Sequence, residues 1–338
     1  MTSRPHDALF KAAFESPAAA ARLLFARLPP RLRAAVVWEE MKPETGSYVD
    51  STLADRHNDL LFSTRLRTGA DDRLYFVLEH QSTEDVIMPL RALSYETRIW
   101  DRSCREQPRQ WLPPVIAVVV SHVPGGWSLS PQFGDMFEPR VLAISGLAPL
   151  VPRFSLLIDD LEHLSNADLK ARSLGAFQQL ALSLLRDGRD PRRLLDQFDT
   201  WLAAWREVER DPSRPDAFAT LVSYMFRVVD PVYREVVRAK LEALGPHIQE
   251  SIMTIADQIH EEGRKQGREE GRRQGRKEGR KRGRRDALAA AVRSLLVRKF
   301  HALAAADEAR LRAAKVDALD RYLQRVLTAD SLAEVLAD

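Results

Sequence analysis

Two stretches of sequence decide the fold: residues 56–62 read RHNDLLF, and residues 74–81 read LYFVLEHQ. Each contains an apolar run, and the turn-forming segment TGADD lies between them. This pattern predicts two antiparallel strands joined as a hairpin. The hairpin brings Asp59, at the start of the first strand, near Glu79, close to the end of the second. Because side chains two positions apart on a strand share a face, Gln81 is expected beside Glu79.

The sequence around this hairpin predicts an α/β domain with a mixed sheet over residues 1–160. Helical spacing of apolar residues predicts a helix over roughly 6–30, ended by two prolines, and another over Pro89–Trp100. Further strand-like runs lie at Ala35–Trp38 and Val115–Val120. The order helix, strand, strand, strand, helix, strand is typical of a sheet covered by helices.

The remainder of the chain has helical patterns. The helical spacing of apolar residues over 161–255 predicts a helical subdomain that packs on or beside the sheet. Within 256–286, glycine recurs at every fourth position from Gly263 to Gly283. This repeat predicts either a basic helix or a flexible charged linker. Residues 287–338 predict a small helical C-terminal module whose final helix begins at the capping-box pattern SLAE.

The glycine-repeat segment also concentrates the positive charge of the chain. Residues 261–285 contain 12 Lys and Arg against 5 Asp and Glu, whereas the net charge of the whole chain is only +3. A cationic helix face attracts phosphate backbones, although such faces are often merely solvated. We predict DNA contacts from its arginines at four-residue spacing: Arg268, Arg272, Arg276, Arg280 and Arg284. The glycine stripe, which lets helices approach closely, predicts a homodimer.

The two carboxylates and the amide at the predicted hairpin suit phosphodiester hydrolysis. Mg²⁺ prefers oxygen ligands and keeps several waters, so one or two carboxylates and a substrate phosphate complete a site. Asp59 and Glu79 are the predicted metal ligands, with the backbone carbonyl of His80 as a third and Mn²⁺ as a substitute ion. Gln81 would orient the attacking water or the phosphate. The alternative is structural, since single acidic residues at strand ends are common.

Other classes of function are disfavoured. The single cysteine, Cys104, excludes an internal disulfide framework and a cysteine-based zinc site. No phosphate-binding loop or serine-nucleophile motif is present, and His57, His80 and His122 look too scattered for a histidine metal site. The longest apolar stretch, Pro113–Val120, is far shorter than a bilayer requires. We therefore expect a cytoplasmic protein with no membrane partner.

The spacing of Asp59 and Glu79-His80-Gln81 resembles the signature of PD-(D/E)XK nucleases. Residues 6–285 more specifically resemble the recombination-promoting nuclease/putative transposase family. The segments that carry the resemblance are HDALFK at 6–11, LEHQS at 78–82, residues 91–100, PPVI at 113–116 and IDDL at 158–161. The resemblance implies a restriction-endonuclease-like sheet and a Mg²⁺-dependent DNA endonuclease linked to recombination or DNA mobility. Residues 287–338 resemble a helical domain of unknown function found at the end of such proteins.

One position departs from the broader nuclease signature, because Gln81 stands where a lysine is usual. The narrower family also carries glutamine there, but the source of positive charge is then open, and Lys11 or Arg91 could provide it. Asp7 is a candidate auxiliary carboxylate and Tyr95 a candidate substrate contact. The departure also leaves an alternative function: a catalytically inactive nuclease-fold protein that binds DNA or oligomerises.

Overall fold

The computed structural model describes residues 5–44, 60–68, 72–106 and 111–337. The chain divides into two compact units, Met1–Asp257 and Gln258–Asp338. This division falls close to the start of the predicted basic segment at residue 256. The finer boundaries at 160, 255 and 286 stay predictions. Within the described ranges, none of the helices combines the length and the apolar character that crossing a bilayer requires.

The first unit is built on a mixed sheet of five strands in the order β1-β2-β3-β4-β5. The β1–β2 and β2–β3 pairs are antiparallel, and the β3–β4 and β4–β5 pairs are parallel. The predicted α/β class and hairpin are therefore confirmed. The strands are β1 (Lys42–Pro43), β2 (Leu60–Arg65), β3 (Arg73–Gln81), β4 (Val115–Ser121) and β5 (Leu157–Asp160).

Helices cover both faces of this sheet. One face packs on α4, through Tyr75 and Val77 of β3 against Met88 and Ala92. On the other face, His80 stacks on Phe10 of α1. The helices of the first unit are α1 (Pro5–Phe14), α2 (Pro17–Arg27), α3 (Pro30–Ala35), α4 (Met88–Glu106), α5 (Pro139–Leu142), α6 (Asn166–Ala171), α7 (Ala176–Asp187), α8 (Pro191–Phe198), α9 (Leu202–Arg210), α10 (Ala217–Val228) and α11 (Arg234–Glu242).

Two local predictions were wrong, and one strand was not predicted. The predicted first helix over 6–30 divides because Ser16 caps a new helix that begins at Pro17. The predicted strand Ala35–Trp38 is reduced to an isolated bridge between Val36 and Leu66, because α3 extends to Ala35. Residues 157–160, for which no strand was predicted, form β5. This four-residue strand is too short to carry a clear alternation of polar and apolar residues.

The helices after residue 160 belong to the same compact unit as the sheet. Both α7 and α10 pack against α1. At the edge of the sheet, the buried carboxylate of Asp159 accepts two hydrogen bonds of 2.8 Å from Arg172, just beyond α6. Because removing one partner would leave a buried unpaired charge, this ion pair fixes the helical region to β5.

The second unit contains most of α12 (Pro246–Phe300), which begins in the first unit, and α13 (Ala305–Ala313), α14 (Val316–Arg325) and α15 (Leu332–Val335). Its core includes Val292, Leu296 and Leu319. Ser331 caps α15 by accepting from the amide of Glu334, as predicted. The Glu334 carboxylate accepts from the amide of Asp330, so the reciprocal half of the capping box is displaced by one residue.

The glycine repeat lies within α12, so the segment is helical in the structure. A Cβ atom built on Gly267, Gly271, Gly275 or Gly279 meets no described atom within 4 Å beyond the helix backbone itself. The described residues of this chain therefore give no packing reason for glycine at these positions. Each glycine is expected to destabilise the helix by about 1 kcal/mol relative to alanine.

Replacing both Gly271 and Gly275 by alanine is expected to stabilise α12. Local opening should become less frequent, and hydrogen exchange of peptides covering this segment should slow by roughly fivefold per substitution. Hydrogen-exchange mass spectrometry measures this, with Lys277→Ala as a control that leaves every glycine in place. Faster exchange in the double variant would contradict the prediction and indicate that the glycines contact another molecule.

Candidate active site

Glu79, one of the two predicted catalytic carboxylates, is deeply buried. It lies near the end of β3, in the middle of the sheet, and its exposed fraction is 1%. A carboxylate in such a position is costly to bury without partners. Its side chain is on the face that packs against α4, because Tyr75, Val77 and Glu79 alternate with residues of the opposite face.

The partners of Glu79 come from α4 and from its own strand. One guanidinium nitrogen of Arg91, Nη2, donates to both carboxylate oxygens, at 2.9 and 3.1 Å. The side-chain amide of Gln81 donates to the same carboxylate at 3.2 Å. Arg91 also donates to Asp85 at 2.9 Å, and its Nη2 lies 3.5 Å from the hydroxyl of Tyr95. The structure thus brings together four predicted residues: Glu79, Gln81, Arg91 and Tyr95.

Helical spacing explains how α4 supplies this contact. Arg91 and Tyr95 are four residues apart and therefore share a face of the helix. Burial acts to lower the pKa of Arg91, but the Glu79 carboxylate and hydrogen bonds to Tyr95 and Asp85 oppose it, so the net pKa is raised. Arg91 therefore carries a fixed positive charge beside the carboxylate.

Asp59, the second predicted carboxylate, lies outside the described residues, as does His57. The described part of the hairpin begins at Leu60, which pairs with Leu78, the residue before Glu79. The carbonyl of Gln81 accepts from the amide of His122 on the β4 side. Because successive residues of a strand direct their carbonyls to opposite neighbours, the carbonyl of His80 is directed to the β2 side.

Asp7 and Lys11 belong to the other face of the sheet. The His80 side chain is directed away from Glu79, as expected from strand alternation, and its Nδ1 lies 3.0 Å from the Asp7 carboxylate. Lys11 lies on the same helix as Asp7 and is exposed. The structure therefore separates these two auxiliary candidates from the Glu79 cluster, and of the two predicted sources of positive charge it places Arg91 against Glu79.

Three histidines that are distant in sequence are neighbours beside Asp7. The ring of His122 lies 4.9 Å from that of His80 and 4.8 Å from that of His6. His6 Nδ1 is 2.9 Å from the Tyr224 hydroxyl. In the described residues, neither nitrogen of His122 makes a hydrogen bond of normal geometry. The sequence does not reveal this cluster, because His80 and His122 become neighbours only through the parallel pairing of β3 with β4.

Burial keeps this histidine cluster neutral. Burial and the nearby Arg189 lower the pKa of His6 to about 4. Burial also lowers the pKa of His122, and that of His80 despite the opposing effect of Asp7. Across the described ranges, no group of three or more His, Cys, Asp or Glu side chains is placed to hold a metal ion.

The predicted DNA-binding arginines lie on α12. All five have exposed side chains in the structure: Arg268, Arg272, Arg276, Arg280 and Arg284. Arg284 lies 3.7 Å from Asp320, within the second unit. Exposure leaves these side chains accessible to a polyanion.

Comparison with known proteins relates the chain to a family. The family model described as "Putative transposase, YhgA-like" matches residues 4–212. Recombination-promoting nuclease RpnD of Escherichia coli O157:H7 is 31% identical over 266 residues, which cover 77% of this chain and 96% of that protein. No solved structure matches.

Two further relatives carry names that indicate lost activity. The inactive recombination-promoting nuclease-like protein RpnE of Escherichia coli K12 is 26% identical over 79% of this chain and 85% of its own length. The putative inactive recombination-promoting nuclease-like protein YjiP of the same strain is 40% identical, over 29% of this chain and 94% of its own length. The relatives therefore include both nucleases and proteins named as inactive.

The histidine cluster makes a prediction about stability. Below pH 6.5 the unfolded chain protonates these imidazoles, whereas the folded protein holds His6 neutral down to about pH 4. Because the unfolded state then binds more protons, stability should fall as the pH drops through 6.5, by up to about 1.4 kcal/mol per pH unit for each neutral histidine. His122→Leu should reduce this slope.

Urea unfolding at pH 7, 6 and 5, followed by tryptophan fluorescence, measures the effect. All six tryptophans lie between residues 38 and 205, so the signal reports on the first unit. The exposed His301, replaced by asparagine, is the control. An unchanged slope in His122→Leu would show that this buried histidine does not set the pH dependence.

Proposed function

Because the chain belongs to the YhgA-like family of transposase-related proteins, and resembles recombination-promoting nucleases, we propose that it is a metal-dependent DNA endonuclease. The reaction would be phosphodiester hydrolysis linked to recombination or DNA mobility, on a PD-(D/E)XK fold of the restriction-endonuclease type. The observation that carries the proposal is the buried Glu79, held at the end of a central strand by Arg91 and Gln81.

The donor set suits a hard divalent cation. Mg²⁺, or Mn²⁺ in its place, needs few protein ligands because it keeps several waters. Glu79 provides a carboxylate. The backbone carbonyl of the next residue, His80, is directed to the β2 side, and Asp59 directly precedes β2 in the sequence. Asp85, the other described carboxylate of this cluster, is paired with the Arg91 guanidinium, so Asp59 is proposed as the second acidic ligand. A bound metal would acidify a coordinated water and neutralise charge on the phosphate.

Arg91 is the proposed source of the positive charge that lysine provides elsewhere. Its guanidinium bridges Glu79 and Asp85, and its charge does not depend on pH in the ordinary range. A guanidinium so placed can donate to a phosphate oxygen while remaining paired with Asp85. Arg91 would therefore stabilise the charge that develops on the phosphate.

Gln81 is proposed to position Glu79 and a water molecule, because its side-chain amide does not ionise. Its side-chain amide has both a donor and an acceptor, so it can hold Glu79 with one group and orient a water with the other. Tyr95, near Arg91, would contact the substrate phosphate. The side chains of His80 and Asp7 would act indirectly, because their contact joins α1 to the strand that carries Glu79.

A catalytically inactive nuclease-fold protein that binds DNA or oligomerises is the second candidate. The observations that favour it are the missing lysine at position 81 and the relatives named as inactive. In this case the Glu79–Arg91 pair would be a structural ion pair that fixes α4 to the sheet. The two functions differ in whether the carboxylates are needed for cleavage.

Glu79→Gln and Asp59→Asn are expected to abolish metal-dependent nicking of supercoiled plasmid, with losses of about 100-fold or more. The amide of glutamine cannot replace the negative charge that the metal requires, but its carbonyl can still accept from Arg91. Cleavage with Mg²⁺, Mn²⁺ or no metal measures the effect. Glu138→Gln, at an exposed position, is the control.

Circular dichroism melting confirms that the variants fold. Full nicking by both folded carboxylate variants would contradict the proposed metal site at Glu79 and Asp59. Absence of cleavage by the parent chain with either metal, together with retained DNA binding, would favour the inactive DNA-binding protein.

DNA is the proposed partner of the exposed arginine stripe on α12. Replacing Arg268, Arg272 and Arg276 by glutamine should weaken binding of duplex DNA and reduce the salt slope by roughly one unit for each phosphate that is no longer neutralised. Fluorescence anisotropy between 50 and 200 mM salt measures it. Lys265, Lys277 and Lys281, replaced in the same number, form the matched control. Equal slopes in the two triple variants would contradict a specific arginine stripe.

A homodimer through the glycine-bearing surface of α12 is the other proposed assembly. The open space above the glycines leaves room for close approach of a second helix.

A further inference from the structure

A cavity lies in the first unit, away from Glu79. It has a volume of about 630 Å³, and its walls come from α2, the region from α3 to Trp38, and α6. Asp159 lies at this edge of the sheet and pairs in register with Val120, whose neighbour across β3 is His80. Paired residues share a face, so the Asp159 carboxylate is on the face opposite Glu79.

Among the described residues, four guanidinium groups line this cavity. They belong to Arg22, Arg27, Arg33 and Arg172. Arg172 and Arg27 are held in place: Arg172 makes its two bonds to Asp159, and Arg27 donates to the carbonyl of Ile158 at 2.8 Å, with its Nε 3.4 Å from Asp159. One buried carboxylate therefore fixes two cations, and Arg27 keeps 34% of its side chain exposed.

The positive charge of this cavity exceeds its negative charge. Besides Asp159, the acidic group among the described lining residues is Asp168, which is engaged by the amide and the hydroxyl of Ser165. Four guanidiniums therefore face two carboxylates. An excess of fixed positive charge in a concave site attracts a multiply charged anion, and guanidinium groups match phosphate oxygens in geometry.

An aromatic wall lies beside these cations. Phe25 is a large apolar side chain that lines this cavity and is 44% exposed. The Phe25 ring lies 5.8 Å from the ring of Trp38, and the guanidinium of Arg33 lies 5.0 Å from the centre of the Phe25 ring. The Trp38 ring stacks on Phe76 of the sheet. Trp38 is also fixed by a hydrogen bond to the carbonyl of Arg33. Flat aromatic and guanidinium surfaces of this kind stack on nucleobases.

We propose that this cavity is a nucleotide-binding site: Arg22 and Arg33, with Arg27, contact the phosphate, and Phe25 with Trp38 contacts the base. The volume is in the range of small-ligand pockets. The ligand is either a free nucleotide or the phosphorylated end of a DNA strand, since both have the same phosphate and base. The site is independent of the proposed nuclease function, because it shares no residue with the Glu79 cluster.

Isothermal titration calorimetry on the full chain tests this, without metal, with three probes: inorganic phosphate, dAMP and a 5′-phosphorylated dinucleotide. We expect saturable 1:1 binding of dAMP that is stronger than that of phosphate. Stronger binding of the dinucleotide than of dAMP identifies a strand end as the ligand, and equal or weaker binding identifies the free nucleotide. No saturable binding of any probe overturns the proposal.

Arg22→Gln should weaken dAMP binding by about tenfold or more, because it removes a charge-assisted phosphate contact. The control is Arg31→Gln, which removes the same charge from an exposed position outside the cavity lining and should change the affinity by less than about twofold. Equal losses of dAMP affinity in the two variants would indicate general electrostatic attraction and would overturn the proposed site.

Phe25→Leu separates the base contact from the phosphate contact. It should weaken dAMP binding and leave inorganic phosphate binding unchanged. Leucine retains most of the apolar area at this half-exposed position, and melting followed by circular dichroism verifies the fold. Unchanged dAMP affinity in a folded variant would overturn the role of the aromatic wall. Nucleotide binding is measured by titration and cleavage by plasmid nicking of the parent chain, so failure of nucleotide binding and failure of cleavage remain distinguishable.

Discussion

The candidate site of the first unit depends on the Glu79–Arg91 ion pair. This pair joins the central strand of the sheet to the helix that covers one face, and both partners are largely withdrawn from water. Removing one partner of such a pair leaves an uncompensated buried charge, which costs several kcal/mol. A hydrophobic pair of similar volume would hold the helix as well or better. A charged pair at this place fits the proposed site, in which Glu79 would hold a metal and Arg91 would contact a phosphate.

The two faces of β3 divide the remaining polar groups into separate sets. Glu79 and Gln81 face α4, whereas His80 faces α1 and the histidine cluster. The side chain of His80 is therefore structural even though its backbone lies within the predicted catalytic segment. Asp159 is used in a similar way at the sheet edge, where one carboxylate organises two arginines. In each case a buried charge or imidazole has a partner from a different element of the fold.

Much of the architecture was predictable because its signals are local. The hairpin, α4 and β4 follow from apolar runs and helical spacing, and the pairing of Glu79 with Gln81 follows from strand alternation. The parts that could not be predicted depend on long-range contacts. Arg91 was one of two candidate cations, and only the packing of α4 places it on Glu79. The cluster of His6, His80 and His122 requires the parallel pairing of β3 with β4 and the docking of α1, neither of which has a sequence signature of its own.

The docking of α1 has a consequence for the synthesis of the chain. This helix contributes Leu9, Phe10 and Phe14 to the core, but it packs against α7 and α10, and His6 meets Tyr224 across 218 residues of sequence. At about 5–20 residues per second, the ribosome needs roughly 10–40 s to make the intervening chain. During that interval the first apolar helix has no native partner in those two helices. The helix α1 is thus made before α7 and α10 and completes its contacts late, which exposes it to chaperones and to aggregation in the interval.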